Sequence, residues 1–135
     1  MQSYISVRRH FSAAHRLCNP EWSPEENQRI YGTCSNPNGH GHNYTLEITV
    51  CGKIDPETGM ILDMKTLKEL IDDAVIARVD HKHLNHDVPF LDGIVPTAEN
   101  LAAAVWKILD PLIQEGALHE VRVYESDRNI AIVRR

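Results

Sequence analysis

No run of apolar residues in this chain is long enough to cross a membrane as a helix, and its N-terminus does not read as a signal peptide. A membrane-embedded or exported protein is therefore not expected. Cysteine is scarce. Cys18, Cys34 and Cys51 are odd in number and irregularly spaced, which argues against a disulfide framework and makes a reducing, cytoplasmic setting the expectation. Basic charge is also short, 14 Lys and Arg against 19 Asp and Glu, and the formal net charge of −5 gives no general attraction to nucleic acid or anionic membrane. An anionic substrate would need a local cluster of basic side chains. Internal repeats, low-complexity tracts and linkers are missing too. What remains reads as one domain, residues 1–135, with 42% hydrophobic and 24% charged residues as in an ordinary globular protein. A chain of this length can bury roughly two-thirds of its unfolded surface in one core.

The most informative stretch is Cys34-Ser35-Asn36-Pro37-Asn38-Gly39-His40-Gly41-His42-Asn43-Tyr44. Directly after it, Tyr44, Leu46, Ile48 and Val50 alternate with Thr45, Glu47 and Thr49, the pattern of a half-buried strand. Side chains at i and i+2 of a strand project from one face, so the imidazoles of His40 and His42 can converge without distorting the backbone. Gly39 and Gly41 add no bulk and allow close approach. Two convergent histidines make half a zinc site, although surface histidines beside a turn would read the same. His15, near the end of a first strand over residues 3–12 that runs on to Leu17, is the natural third ligand.

Between these strands, Ser23-Pro24-Glu25-Glu26 predicts a helix with Ser at N-cap, Pro at N1 and Glu at N3 of a capping box, ended by Gly32. Cys34 follows, six residues before His40, and reads either as a small buried hydrophobe or as a nucleophile or base. Asp63 is expected to cap a helix to about Val79, with Met64, Leu67, Leu70, Ile71, Ala74 and Val75 as its apolar stripe. In the segment after it, Asp80 and His81 read as an acid–base pair, with His83 and His86 solvated. Thr97 caps a second long helix whose apolar face runs through Leu101, Ala104, Val105, Ile108, Leu109 and Leu112, with Glu99 in its first turn. Two final strands, His119–Glu125 and Asn129–Val133, flank the hairpin Ser126-Asp127-Arg128-Asn129. The order β-β-α-α-β-β predicts an α+β chain with an antiparallel sheet and both helices on one face.

These residues resemble the 6-pyruvoyltetrahydropterin synthase family along nearly the whole chain. The matching segments are Phe11 to Leu17, Cys34 to Tyr44, Ile54-Asp55-Pro56 with Thr58-Gly59-Met60, Asp80-His81-Lys82, Asp87-Val88-Pro89, Thr97-Ala98-Glu99-Asn100 and Val123 to Asp127. The resemblance implies a tunnelling fold whose barrel is closed by trimerisation, with trimers paired into hexamers and sites between subunits. It implies one Zn2+ per chain on His15, His40 and His42. Cys34 would be the base, Asp80 and His81 would complete a proton relay, Glu125 would anchor the pterin ring, and Thr97 and Glu99 would line its pocket. The implied substrate is 7,8-dihydroneopterin triphosphate, with Mg2+ on the triphosphate and Arg8, Arg9, Arg16 or Lys82 as candidates to meet it.

Ser35 and Ala98 depart from the animal enzymes, which carry Asn and Thr there; neither side chain is an expected catalyst. Two other readings stand beside this one. The sister enzyme of queuosine biosynthesis, 6-carboxytetrahydropterin synthase, places its cysteine nearer the His-x-His pair, so the Cys34 spacing favours the pyruvoyl branch. A zinc-containing pterin-binding protein without turnover would have no need of Cys34, Asp80 or His81.

Overall fold

The computed structural model describes all 135 residues. Two long strands, β1 (Ser3–His15) and β2 (His40–Gly52), pair antiparallel in unbroken register from Ser3 opposite Gly52 to His15 opposite His40. Their alternation puts Val7, Phe11, Ala13 and His15 of β1 and Tyr44, Leu46, Ile48 and Val50 of β2 on the covered face. β4 (Ala117–Tyr124) adds to β2, and β5 (Ile130–Arg134) adds to β4, both antiparallel.

The predicted four-stranded antiparallel sheet needs correcting at its other edge. A fifth strand, β3 (Lys82–His83), pairs parallel to β1, so the sheet is mixed and ordered β3-β1-β2-β4-β5. Two residues are too few to carry a period, and no alternation could have shown them. β4 also starts two residues earlier than expected. His119 is bulged out, because Thr49 pairs with Glu120 while Val50 pairs with Leu118. The bulge resets the alternation, so that Leu118 and Val121 are both buried.

α1 (Pro24–Tyr31) is capped as expected, the Ser23 hydroxyl accepting from Glu26 N at 3.1 Å, but the box is not reciprocal because the Glu26 carboxylate turns to Arg29. Gly32 ends the helix with φ 59° and ψ −133°, outside the left-handed helical region. α2 (Met64–Ile71) leads through a π turn (Asp72–Ile76) into the short α3 (Ala77–Val79). Leu67, Ile71, Val75 and Val79 are each fully buried at four-residue intervals. On a regular α-helix such a stripe would drift about 40° per step, and the wider π turn takes up that drift. Met64, expected in the stripe, is 46% exposed. α4 (Ala98–Leu109) packs on β4 and β5 through Leu101, Ala102, Val105 and Leu109, whereas Leu112 lies beyond its end, exposed. α2 packs on β1, and one cluster of 23 buried residues joins helices and sheet.

Candidate metal centre

His15 and His40 face each other across the β1–β2 pair, and His42 follows two residues along the same face. Their ligand nitrogens all lie within 4.8 Å of one another, with His15 Nε2 3.1 Å from His40 Nε2. Two nitrogens on one tetrahedral zinc at 2.0–2.1 Å stand about 3.4 Å apart, so the spacing fits a metal with little adjustment. The His15 Nδ1–H donates to the Pro96 carbonyl at 2.7 Å, which fixes the tautomer and leaves the Nε2 lone pair facing its neighbours. Tyr44 Oη lies 3.3 Å from the same Nδ1. His42 Nε2 is the only buried side-chain polar atom in the chain without a hydrogen-bond partner. A buried orphan acceptor is costly unless something meets it, and a three-nitrogen donor set suits zinc, so these residues fit the ion.

The approach to this cluster depends on Gly39. Its φ is 74°, and a Cβ there would lie 2.9 Å from the His15 carbonyl oxygen and 3.1 Å from His83 Nε2. Only glycine brings the Asn36–Gly39 turn down beside the end of β1.

Glu125 stands just after β4, its Oε1 3.7 Å from His42 Nε2 and its Oε2 3.9 Å from His15 Nε2. Its backbone N–H closes the hairpin onto Asn129 at 3.0 Å. Glu99 and Glu125 line one cavity of about 360 Å³ with Arg128 and Asn129. The Thr97 hydroxyl accepts from Asn100 N at 3.1 Å, as an N-cap should, at the mouth of the segment that carries Pro96 and Glu99.

Asp80 and His81 sit at the β1–β3 edge, with His81 Nδ1 3.0 Å from Asp80 Oδ1. Both are tied to Ser12, whose N–H donates to Asp80 Oδ1 at 2.9 Å and whose carbonyl accepts from His81 N at 2.6 Å. The Ser12 N–H bond, ahead of the His81 imidazole, holds the Asp80 carboxyl below the usual carboxylate range. His81 has φ 59°, the one non-glycine residue with positive φ, a strained conformation of the kind retained at working sites. Cys34 lies in the 3₁₀ turn Gly32–Ser35, half-buried, its carbonyl accepting from Leu17 N at 2.8 Å. It does not line the groove that holds His42 and His81. Of the expected site residues, the structure therefore brings together His15, His40, His42 and Glu125, pairs Asp80 with His81, and does not include Cys34 in the group of converging ligand atoms.

Sequence reasoning missed Pro96 and Tyr44, whose roles depend on atoms 81 and 29 residues from His15. His83 was expected to be solvated. It is half-buried, with its ring stacked on His86 at 4.4 Å and its Nδ1 accepting from Asn85 N at 3.2 Å.

Burial holds the His15 and His42 imidazoles below the ordinary histidine range, outweighing the Pro96 carbonyl and Glu125, which pull upward. The folded state therefore favours neutral rings, and the unfolded chain takes up protons first as pH falls through about 6.5. Stability of the metal-free protein is accordingly present above that value and lost as pH falls from it towards the depressed folded values. Calorimetry of chelator-treated protein should show Tm falling between about pH 7 and about pH 5, with a shallower fall in His42→Gln. Equal slopes in the two proteins would contradict the assignment.

Three histidines converging on the face of an α+β sheet define a chain with a site able to hold a metal ion. The sequence profile of the 6-pyruvoyl tetrahydropterin synthase family matches residues 4–135. The chain belongs to that family. It is 45% identical over 131 residues to the human 6-pyruvoyl tetrahydrobiopterin synthase, covering 97% of this chain and 90% of the human protein. The Dictyostelium discoideum 6-pyruvoyl tetrahydrobiopterin synthase is 42% identical over 130 residues, 96% of this chain and 94% of that one. The solved 6-pyruvoyl tetrahydropterin synthase of Caenorhabditis elegans superposes with a TM-score of 0.94 at 34% identity, covering 100% of this chain and 96% of that one.

Proposed function

We propose that this chain is a zinc-dependent lyase that converts 7,8-dihydroneopterin triphosphate into 6-pyruvoyltetrahydropterin with elimination of triphosphate. The observation that carries the reading is the convergence of His15, His40 and His42 beside Glu125, in a chain 45% identical to a protein named for this product. Zinc on the three imidazoles would act as a Lewis acid, acidifying the hydroxyls and adjacent C–H groups of the substrate side chain. Glu125 accepts hydrogen bonds from the pterin ring N–H and amino groups, orienting the ring so that its side chain reaches the metal. Glu99 and the Thr97 turn close that pocket. Cys34 Sγ, as thiolate, takes the proton from the side-chain carbon. His81 carries a proton on its ring, held in orientation by Asp80, whose own place is set by the Ser12 N–H. Mg2+ belongs with the triphosphate.

Zinc-loaded protein incubated anaerobically with 7,8-dihydroneopterin triphosphate and magnesium should release inorganic triphosphate, and mass spectrometry should find a pterin with a three-carbon pyruvoyl side chain. A one-carbon carboxyl product with acetaldehyde would move the chain to the queuosine branch. Pterin binding without release of triphosphate would leave a binding protein.

Cys34 is not among the converging ligand atoms of one chain, and an assembled site can bring a thiol and the histidines together from different chains. The tunnelling fold closes a barrel from three sheets, and two trimers make a hexamer. The edge strand β5 supports closure, since Ile130 and Ile132 are 42% and 47% exposed on a strand with an open row of backbone groups. Cys34 of one chain can then serve the histidines of another. Light scattering should report a mass near six chains, and a stable monomer at micromolar concentration would refute the assembly.

A further inference from the structure

A histidine that binds a metal must present a bare nitrogen, and a neutral imidazole has only one. At His15 the choice falls to the surroundings. The ring is 1% exposed, and its Nδ1 has two oxygen neighbours, the Pro96 carbonyl at 2.7 Å and the Tyr44 hydroxyl at 3.3 Å. The two are not equivalent. A carbonyl can only accept, so it requires the proton on Nδ1 and leaves Nε2 bare. A phenol can also donate, and burial pushes the Tyr44 pKa well up, so its hydroxyl keeps a proton to give. A hydroxyl proton given to Nδ1 would put the ring proton on Nε2, the atom that faces His40 at 3.1 Å. That tautomer cannot ligate.

What aims the Pro96 carbonyl lies on either side of it. Thr97 N donates to the Val95 carbonyl at 2.8 Å, an inverse γ-turn with Pro96 at its centre, where the fixed φ of proline fits. A trans peptide is planar with its C=O and N–H on opposite sides, so fastening the Thr97 N–H to Val95 turns the Pro96 carbonyl away from Val95 and towards His15. The Val95 carbonyl takes a second bond, at 2.9 Å, from the side-chain Nδ2 of Asn100. The Asn100 backbone N–H in turn donates to the Thr97 hydroxyl at 3.1 Å. Asn100 thus closes a clasp on both neighbours of Pro96, although it is exposed and makes no hydrogen bond to any of the three histidines.

We infer that Asn100 is a positioning residue for the metal centre: its clasp on Val95 aims the Pro96 carbonyl at His15, and so selects the tautomer that can bind metal over the one the Tyr44 hydroxyl would select. The inference rests on the three-histidine metal site proposed above. Its weight is that of an outer-shell partner, about 10- to 100-fold in metal affinity. The amide is essential to it. Asn100 is the third residue of α4, where a carboxylate would suit the helix N-terminus but has no N–H for Val95. A carboxylate there would instead accept the Thr97 N–H, as in a capping box, and pull the Pro96–Thr97 peptide round.

Asn100→Asp therefore tells a positioning role from a structural one. In the metal-free form it should melt close to wild type, because an acidic group in the first helical turn offsets the lost amide bond. Its zinc affinity, measured by competition with a chromophoric chelator, should fall about 10- to 100-fold. Magic-angle-spinning nitrogen NMR of histidine-labelled, metal-free protein at about pH 8, where imidazoles are neutral, reads the tautomer directly, with His15→Gln to assign the signal. His15 should carry its proton on Nδ1 in wild type and on Nε2 in Asn100→Asp. Adding Tyr44→Phe removes the competing hydroxyl and should recover most of the zinc affinity, which no packing defect would do. Unchanged zinc affinity, a loss that follows a drop in metal-free Tm, a His15 proton that stays on Nδ1, or no recovery on adding Tyr44→Phe would each overturn the inference. A wild type that binds no zinc, yet shows the switch of His15 tautomer in Asn100→Asp, would keep the positioning role and remove the metal reading.

Discussion

Cys34→Ala should keep its zinc, its assembly and its affinity for the pterin, and lose about 10²- to 10⁴-fold in turnover. The thiol holds nothing together. Cys34 is half-buried in a 3₁₀ turn, and its contact with the segment just after β1 is made by its carbonyl, which accepts from Leu17 N and which any residue supplies. Removal of Sγ therefore deletes a proton carrier and leaves the local backbone bonds intact. Steady-state kinetics beside metal analysis separates the outcomes. If Cys34→Ala came out of purification without zinc, the thiol would be a fourth ligand and the site a structural one. Turnover near wild type would remove Cys34 from the mechanism.

His42→Ala should have effects of opposite sign in the two forms of the protein. Even an outer-shell partner of a metal ligand is worth about 10- to 100-fold in affinity, so loss of one of three ligands should exceed that and take turnover with it. Zinc content, measured by atomic absorption, should fall from about one per chain to near zero. Metal-free protein should respond differently. His42 Nε2 is buried without a partner, and an orphan of this kind costs about 1–3 kcal/mol. Its deletion should leave Tm of the apo form unchanged or raised, although a ring is lost from a partly buried position. A large drop in apo stability would mean that His42 is chiefly a packing residue.

The meeting of the three histidines was legible because it follows from two simple periods. Spacing of i and i+2 puts His40 and His42 on one face, and an uninterrupted antiparallel register puts His15 opposite His40. Helix starts at Ser23, Asp63 and Thr97 were legible for a similarly local reason, since each side chain accepts a bond from its own first turn. What escaped was what lacks a period or breaks one. β3 is too short, the His119 bulge shifts an alternation by one, and the π turn rotates a stripe that still looks α-helical. The strain at His81 and the stacking of His83 on His86 depend on how the segment after α3 folds back along β1, which no spacing encodes. The roles proposed for Cys34 as the base and Glu125 as the pterin anchor come from family resemblance, whereas Asp80 and His81 already read as an acid–base pair from their adjacency.

The bond from His15 to the Pro96 carbonyl also bears on when the site comes into being. His15 and His40 are 25 residues apart, Ser12 and Asp80 are 68 apart, and His15 and Pro96 are 81 apart. Contacts of such long sequence separation close late, because the loop entropy between them is lost before they return any stability. A nascent chain that has exposed only β1 and β2 carries all three imidazoles but neither the carbonyl that fixes the His15 tautomer nor the carboxylate of Glu125. Tight capture of a metal by these imidazoles would thus wait until α4 and β4 have emerged and docked, and acquisition of an ion would report completion of the fold instead of nucleating it.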